Sequence, residues 1–565
     1  MSDGAELRTG GQLVADALAT HGVEMAFGVP GESYLALLDA LVDGDIRFVT
    51  CRQEGGAAMM ADAYGKLTGR PGIAMVTRGP GATNAAAGVH IAFQDSTPMI
   101  LLVGQIGRDM VDREAFQEVD YRQMYGALAK WVAEIDQAER IPEYMNRAFH
   151  TATSGRPGPV VLALPEDMLR ERVRVPAHVS GGIARYRPVA SHPDPEAMEE
   201  LRARLATAKR PLMILGGGTW DAESTRAVAD FAAANEVPVG ASFRCQDYID
   251  NRHPCYAGHV GIGVNPALAE RVREADLLIV AGARLGETTT SGYSLVEPPR
   301  PHQQLIHIHP DPNELNRVYD ADLAIAASMG PFAQALAALP AIEKPAWASE
   351  RAQARADYEA HIEPVAIPGP LQMAEIVRWL ADRLPADAIL ANGAGNYTTW
   401  VHRFFPYRGW RTQLAPTSGS MGYGTPAAVA AKALHPERTV LAFAGDGCFM
   451  MHGQELATAA QEGLGILVIL IDNGMYGTIR MHQERHYPDR VSGTALKNPD
   501  FAALGAAYGC HSARVETTDA FFPAFEAALA ATEAGRPALL HLVIDPEALT
   551  PMQSLSAIRE AARKG

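Results

Sequence analysis

An aspartate between two glycines, Gly445-Asp446-Gly447, follows the apolar run TVLAFA and precedes the helix-like stretch GQELATAAQEG. Glycines at a strand-to-helix junction let backbone N–H groups approach an anion, and a helix N-terminus favours negative charge. An aspartate placed there repels a phosphate unless it holds a divalent cation that bridges to it. Twenty-five residues past Gly447, at the end of the apolar run ILVILI, stands Asp472-Asn473-Gly474-Met475. Neighbouring parallel strands bring their C-terminal ends side by side, so Asp446 and Asn473 can offer oxygen ligands to one hard ion such as Mg²⁺. A GDG tripeptide alone is more often a turn. Strand, GDG, helix, strand and asparagine in that order form a far more specific pattern.

A second carboxylate, Glu54, follows the run IRFVTCR and opens QEGGAAMMADAY, a helix-like stretch of small and apolar residues. A carboxylate at a helix N-terminus stabilises it by roughly a few tenths of a kcal/mol. Its alanine and methionine neighbours desolvate it, which raises a carboxyl pKa, while the helix N-terminus lowers it. A helix-stabilising role and a proton-moving role both follow from these residues.

The elements that must position these groups are short apolar strands interleaved with Ala-rich helical stretches. In the first part of the chain the strands are Ile46 to Thr50, Gly72 to Thr77, Met99 to Gly104 and Pro159 to Pro165. Uniformly apolar strands of this kind belong to a parallel sheet covered on both faces by helices. A polar, proline-containing stretch, PAHVSGGIARYRPVASHPDPEA, reads as a linker. LMILGGG, DLLIVAGAR and QLIHIHPD repeat the style, and a second low-order stretch around EPVAIPGP leads to AILANGAG, TVLAFAGDG, ILVILIDN and ALLHLVID. The expected organisation is α/β, three doubly wound parallel-sheet domains over residues 1–180, 190–345 and 360–550. Gly216-Gly217-Gly218 after LMIL suggests a nucleotide-type turn. Without a GxGxxG and a following acidic residue it is read as structural.

Bulk properties narrow the classes. The 565 residues are 47% hydrophobic and 20% charged, enough to bury several cores. A formal charge of −16, with no long basic run, argues against nucleic acid and membrane surfaces as partners. The five scattered cysteines show neither CxxC nor Cys/His ligand spacing. The first residues lack the basic flank and apolar block of a secretory signal, and a reduced cytoplasm is the expected address.

The combined pattern resembles the thiamine-diphosphate (ThDP) enzymes over nearly the whole chain. It is most similar to the acetohydroxyacid (acetolactate) synthases and the related 2-oxoacid decarboxylases and carboligases. The resemblance implies a pyrimidine-binding, a central Rossmann-like and a diphosphate-binding domain, in that order. By the same resemblance Asp446, Asn473 and the backbone carbonyl of Met475 bind Mg²⁺, and Gly447 and Cys448 hold the diphosphate. Gly395 and Asn396, in NGAGNY, belong to a second diphosphate-binding turn, and Tyr476 and Gly477 complete the cofactor contacts. In TSGSMGYGTPAA, the Gly419 carbonyl meets the aminopyrimidine while Met421 gives a backbone N–H and an apolar wedge beneath the cofactor. Glu54 becomes the carboxyl that exchanges a proton at the pyrimidine N1′. The block Arg52 to Ala85 matches from this glutamate to GPGATN, placing Pro80 and Asn84 at the cofactor cleft. The AFQE stretch puts Phe116 and Gln117 at the reacting centre. In this family the glutamate serves a cofactor whose diphosphate lies on a partner subunit, which implies a homodimer or a homotetramer.

The pattern also departs from the synthases. Glu166 stands where they have a lysine, Thr478 where they have a substrate-contacting methionine, and His482 where a tryptophan narrows the acceptor pocket. Pro30 occupies the place of the catalytic histidine of benzaldehyde-lyase-like enzymes, and the paired histidines of simple pyruvate decarboxylases are not seen. The flavin-containing members carry a GMHG-type turn where this chain has GHVGIGVNP, so FAD is not expected. The expected chemistry is decarboxylation of a 2-oxoacid and transfer of the acyl-anion equivalent to an acceptor, with His482 and Thr478 beside the substrate. One alternative is a lyase or decarboxylase acting on a 2-hydroxyacyl- or oxalyl-coenzyme A thioester, with Arg559, Arg563 and Lys564 available to an acidic ligand. More remote are a nucleotide-dependent oxidoreductase and a non-catalytic cofactor binder.

Overall fold

Strands buried at every position mark the interior. Met99–Gln105 and Pro159–Pro165 expose no residue on either face, as strands do when helices cover both sides of a parallel sheet. The computed structural model describes residues 6–175 and 184–564, and they form three six-stranded sheets and one two-stranded ribbon.

In spatial order the first sheet is Arg47–Thr50, Met25–Gly28, Gly72–Val76, Met99–Gln105, Pro159–Pro165 and Trp131–Glu134. The second is Tyr256–His259, Val239–Ala241, Pro211–Leu215, Leu277–Ala281, Gln304–His309 and Leu323–Ala326. The third is Gln413–Leu414, Ile389–Asn392, Val440–Gly445, Leu467–Asp472, Ala538–Val543 and His511–Val515. Every neighbouring pair in the three sheets is parallel. Counting strands within each sheet, the first and third share the order 2-1-3-4-6-5, and the second has the dinucleotide-fold order 3-2-1-4-5-6. The α/β, doubly wound class expected from the sequence is the class observed. Glu6–Thr9 pairs antiparallel with Arg172–Val175 in the ribbon.

Contacts group the chain into two compact units. Met1–Val189, Val429–Leu434 and His452–Gly463 form one, and Ala190–Ala428, His435–Met451 and Leu464–Gly565 form the other. All five cysteines are buried and free. Among the described residues no helix is long and apolar enough to cross a membrane.

Three local readings change. The expected linker begins at 176, and residues 176–183 lie outside the described residues. Its last residues are helical: Asp194 caps the helix Pro195–Thr207, with Pro195 in the first turn where its missing N–H costs nothing. At GDG there is no separate turn, because Val440–Gly445 ends where the helix Asp446–His452 starts. The strands missed in the sequence are mostly short or at sheet edges. Trp131–Glu134 and His511–Val515 are half-exposed and interrupted by polar residues, and Leu323–Ala326, though apolar, is half-exposed and only four residues long. Gly217, read as structural, has φ +72°, and a Cβ there would stand 1.9 Å from the Gly282 carbonyl oxygen. Close packing of two strand ends accounts for that glycine.

Candidate active site

In an open parallel sheet, a crevice forms beyond the strand C-termini where the strand order reverses. In the third sheet this point lies between Ile389–Asn392 and Val440–Gly445. A cavity of about 230 Å³ opens there. The residues expected from this segment to contact the cofactor and its metal all line it. They are Gly395, Asn396, Gly419, Met421, Asp446, Gly447, Cys448, Asn473, Met475, Tyr476 and Gly477, with Thr478 beside them. Ile471, Ile544 and Leu549 supply much of the apolar wall.

Local bonds hold the rim. The Tyr397 hydroxyl accepts from the Gly393 N–H at 3.0 Å and meets the Cys448 sulfur at 3.2 Å. That sulfur also accepts the Gly422 N–H at 3.1 Å. The Thr478 hydroxyl donates to Asn396 Oδ1 at 2.9 Å and accepts the Asn396 N–H at 3.0 Å, joining the NGAGNY turn to the helix Gly477–His486. The 474–476 loop is pinned by Tyr476 N–H to the Thr494 carbonyl at 2.9 Å and Leu496 N–H to the Gly474 carbonyl at 2.8 Å. Met421 is half-buried against the apolar core of the third sheet.

The polar end lies where Val440–Gly445 and Leu467–Asp472 finish side by side, with Gly445 opposite Ile471. Asp446 accepts from the Gly447 N–H and from Asn498 Nδ2, each at 2.8 Å. Asn498 donates equally to Asp472 at 2.8 Å, and His541 Nε2 meets Asp472 at 2.9 Å. Burial pushes the Asp446 carboxyl up, and the neighbouring Asp472 adds to this. Burial acts on Asp472 too, but bonds from His541, the Gly474 N–H and Asn498 hold it down. A buried carboxylate with no cationic neighbour among its hydrogen-bond partners is the kind of group that a divalent cation stabilises. Among the described residues no three His, Cys, Asp or Glu side chains gather as a metal site. The set at hand is one carboxylate, the Asn473 amide oxygen and a backbone carbonyl, an all-oxygen set suited to Mg²⁺. A Cβ on Gly447 would lie 2.5 Å from the Tyr476 ring, so the backbone here stays bare. These residues would fit a divalent cation and a diphosphate at the polar end, with the apolar wall left for the rest of the group.

Glu54, Pro80, Asn84, Phe116 and Gln117 belong to the other unit. Gln53 caps the helix Glu54–Thr68 by accepting the Gly56 N–H at 3.1 Å, and Glu54 is its half-buried first residue. Asn84 Nδ2 donates to Glu54 Oε2 at 3.0 Å. A Cβ on Gly81 would lie 3.3 Å from Glu54 Oε1, so GPG gives the carboxylate room. Pro80 opens the helix Pro80–Asp95 on the exposed side. Phe116 is 73% exposed, and Gln117 has φ +67°. Pro30 is exposed in the loop after Met25–Gly28.

His482 lies outside the cavity lining. It is exposed one helical turn beyond Thr478, stacked parallel to His486 at 6.3 Å. The C-terminal arginines are engaged. Arg559 donates to Glu484 at 2.9 and 3.0 Å, and Arg563 binds Asp489 at 2.5 Å. They hold the helix Leu555–Lys564 against Gly477–His486, which removes the support they gave to a thioester ligand. Sequence reasoning missed Asn498, His541, Gln53 and Tyr397. No motif marks Asn498 and His541, because each acts on a residue far away in the chain, while Gln53 and Tyr397 lie inside quoted stretches and act through the local bonds given above.

The comparisons with known proteins agree with this geometry. The family pattern described as "Thiamine pyrophosphate enzyme, N-terminal TPP binding domain" matches residues 8–124. The corresponding central domain matches 198–336 and the C-terminal TPP binding domain 393–542. Acetolactate synthase isozyme 2 large subunit of Escherichia coli is 33% identical over 95% of this chain and 95% of its own length. The acetolactate synthase large subunit of Corynebacterium glutamicum is 31% identical over 97% of this chain and 89% of its own. A probable acetolactate synthase large subunit of Methanocaldococcus jannaschii is 31% identical over 96% and 93%.

Proposed function

The chain belongs to the thiamine-diphosphate enzyme family, and from that premise we propose a Mg²⁺-dependent carboligase of the acetolactate-synthase kind. It decarboxylates a 2-oxoacid and passes the acyl-anion equivalent to an acceptor. The observation that carries this reading is the cavity at the switch point of the third sheet, which gathers the expected cofactor residues from four separate segments of the chain.

Thiamine diphosphate, when bound, supplies the electron sink that makes a carbonyl carbon nucleophilic. Asp446, Asn473 and the Met475 carbonyl hold Mg²⁺. Gly395, Asn396, Gly447 and Cys448 hold the diphosphate, with Tyr476 and Gly477 closing the floor. The Gly419 carbonyl and the Met421 N–H orient the aminopyrimidine. Glu54, steadied by Asn84, holds and releases the proton at N1′, and Pro80 lines its cleft. Phe116 and Gln117 face the reacting centre. Residues 1–180, 190–345 and 360–550 serve as pyrimidine-binding, central and diphosphate-binding domains. The glutamate serves a partner's cofactor, so the working unit is a homodimer or homotetramer, active in the cytoplasm without FAD. Thr478, bonded to Asn396, and Glu166 depart from the dedicated synthases, so acetolactate formation is poor or broad by comparison. His482, exposed and outside the lining, is not assigned to the acceptor wall.

Chelator-stripped enzyme is expected to lose activity and to recover it only with ThDP and a divalent ion together. Asp446→Ala and Asn473→Ala are each expected to weaken ThDP retention by about tenfold or more, roughly 1.4 kcal/mol per decade. Calorimetry with ThDP and Mg²⁺ checks this, and undiminished affinity in both variants removes these residues from the metal site.

A further inference from the structure

Arg78 is 7% exposed at the C-terminal edge of the first sheet. Its guanidinium ties three separate segments at once. Nη2 donates to Glu32 Oε1 at 2.9 Å, Nη1 to Glu166 Oε2 at 3.3 Å and Nε to the Phe116 carbonyl at 3.2 Å. The strand order of this sheet reverses between Met25–Gly28 and Gly72–Val76. Glu32 follows the former strand and Arg78 the latter, so their ion pair spans the switch point. In the third sheet, with the same strand order, the corresponding crevice is the cavity. Here an ion cluster of the chain's own residues sits at that position.

The turn carrying Phe116 and Gln117 has few other attachments to the sheet. Glu118 organises it from within, accepting from the Asp112 N–H at 2.8 Å and the Ala115 N–H at 2.9 Å. Gln117 holds a left-handed φ of +67°, unfavourable for a residue with a side chain. Outside the turn, Gly79 packs on Gln117 so closely that a Cβ there would stand 2.8 Å from the Gln117 Cβ, and its N–H donates to Tyr121 Oη at 2.8 Å. The other ties are the Arg78 bond to the Phe116 carbonyl and, at the end of the turn, the bond from Gln105 Nε2 to the Val119 carbonyl at 3.0 Å.

We propose that Arg78 is a positioning residue for the Phe116–Gln117 turn, and that Glu166 is its counter-ion rather than a charge presented to the acceptor. This rests on the reading that Phe116 and Gln117 face the reacting centre. A planar guanidinium directs donors to three acceptors at once, whereas a lysine offers one point charge. A near-buried guanidinium also needs its carboxylates, since removing one partner leaves charge without compensation. A lysine at 166, as in the synthases, would face Arg78 with like charge. Residue 166 therefore acts on the acceptor side through Arg78 and the turn.

The test uses full-length enzyme loaded with ThDP and Mg²⁺, with Arg78→Met, Arg78→Lys and Glu166→Gln. Hydrogen exchange of the peptide over residues 109–120 is expected to quicken by about tenfold in Arg78→Met, and by less in the other two. Exchange of the cofactor C2 proton is expected to stay within about twofold of wild type, while the carboligated share of decarboxylated pyruvate drops by about fivefold or more. A folded Arg78→Met with wild-type protection over 109–120 overturns the proposal, as does quickened exchange with an unchanged carboligated share. If Arg78→Met does not fold, wild-type protection in both other variants overturns it equally. Wild-type enzyme inert towards every 2-oxoacid defeats the proposed function instead, and the exchange data still decide the role of Arg78.

Discussion

At the residue scale the proposed chemistry turns on one carboxyl group. Glu54 begins a helix, accepts from Asn84 and is given space by Gly81. Glu54→Gln keeps that shape and removes the exchangeable proton. ThDP is expected to bind with near-wild-type affinity while cofactor C2 exchange slows by roughly a hundredfold or more. NMR of deuterium exchange at C2 measures this, and a wild-type rate would leave Glu54 as a helix-stabilising carboxylate only. Glu54 was legible because a run of neighbours, from Arg52 to Ala85, carries the signal with it. Asp446 and Asn473 were legible for the same reason, being fixed to strand ends by local motifs. Asn498 was not. It bridges Asp446 and Asp472 from 52 and 26 residues away, and an asparagine before a proline looks like any loop. His482 misled because alignment by spacing cannot tell which face of a helix meets solvent.

At the element scale, the helix Glu455–Glu462 carries a carboxyl that braces the approach to Glu54. Glu455 is fully buried, accepts the Arg52 N–H at 3.1 and 3.3 Å and the Thr458 hydroxyl at 2.7 Å, and lies in the same unit as Glu54. Burial pushes its carboxyl up to about 7, against bonds from Thr458 and the backbone that pull it down. The sign follows from linkage. A raised folded-state value means that the folded chain binds this proton more tightly than the unfolded chain. The stability gained is fully present below the ordinary value of 4.5 and is lost as pH rises through about 7. Over that window the loss amounts to about 3 kcal/mol. Glu455→Gln cannot titrate, so its melting temperature is expected to gain on wild type between pH 5 and pH 8. Melts of both proteins at the two pH values test this, and an equal gap at each would contradict it. Nothing in GQELATAAQEG distinguishes this acid from a solvated one, because its burial comes from the first sheet's side of the unit. The central strands were legible from their unbroken apolar runs, whereas edge strands such as Trp131–Glu134 and His511–Val515 were hidden by half-exposure.

At the scale of the whole molecule, the first and third sheets repeat one strand order, and the second, between them in the sequence, has another. That repetition is invisible in motifs and appears only when the strands pair. It gives the chain two switch points of one design, one opening into the cofactor cavity and the other closed by Arg78, Glu32 and Glu166. Family likeness over nearly the full chain makes the enzyme a ThDP carboligase of the acetolactate-synthase kind. The proposed reading assigns the departures at Glu166 and Thr478 to the acceptor side. The most direct measurement supplies purified enzyme, ThDP and Mg²⁺ with ¹³C-labelled pyruvate, alone, with 2-oxobutyrate or with an aldehyde, and identifies the products by NMR. The account predicts labelled CO₂ and carboligated products only when ThDP and the metal are both present, with acetolactate formed poorly or beside other products. Turnover that survives removal of ThDP, or no turnover of any 2-oxoacid, would contradict it.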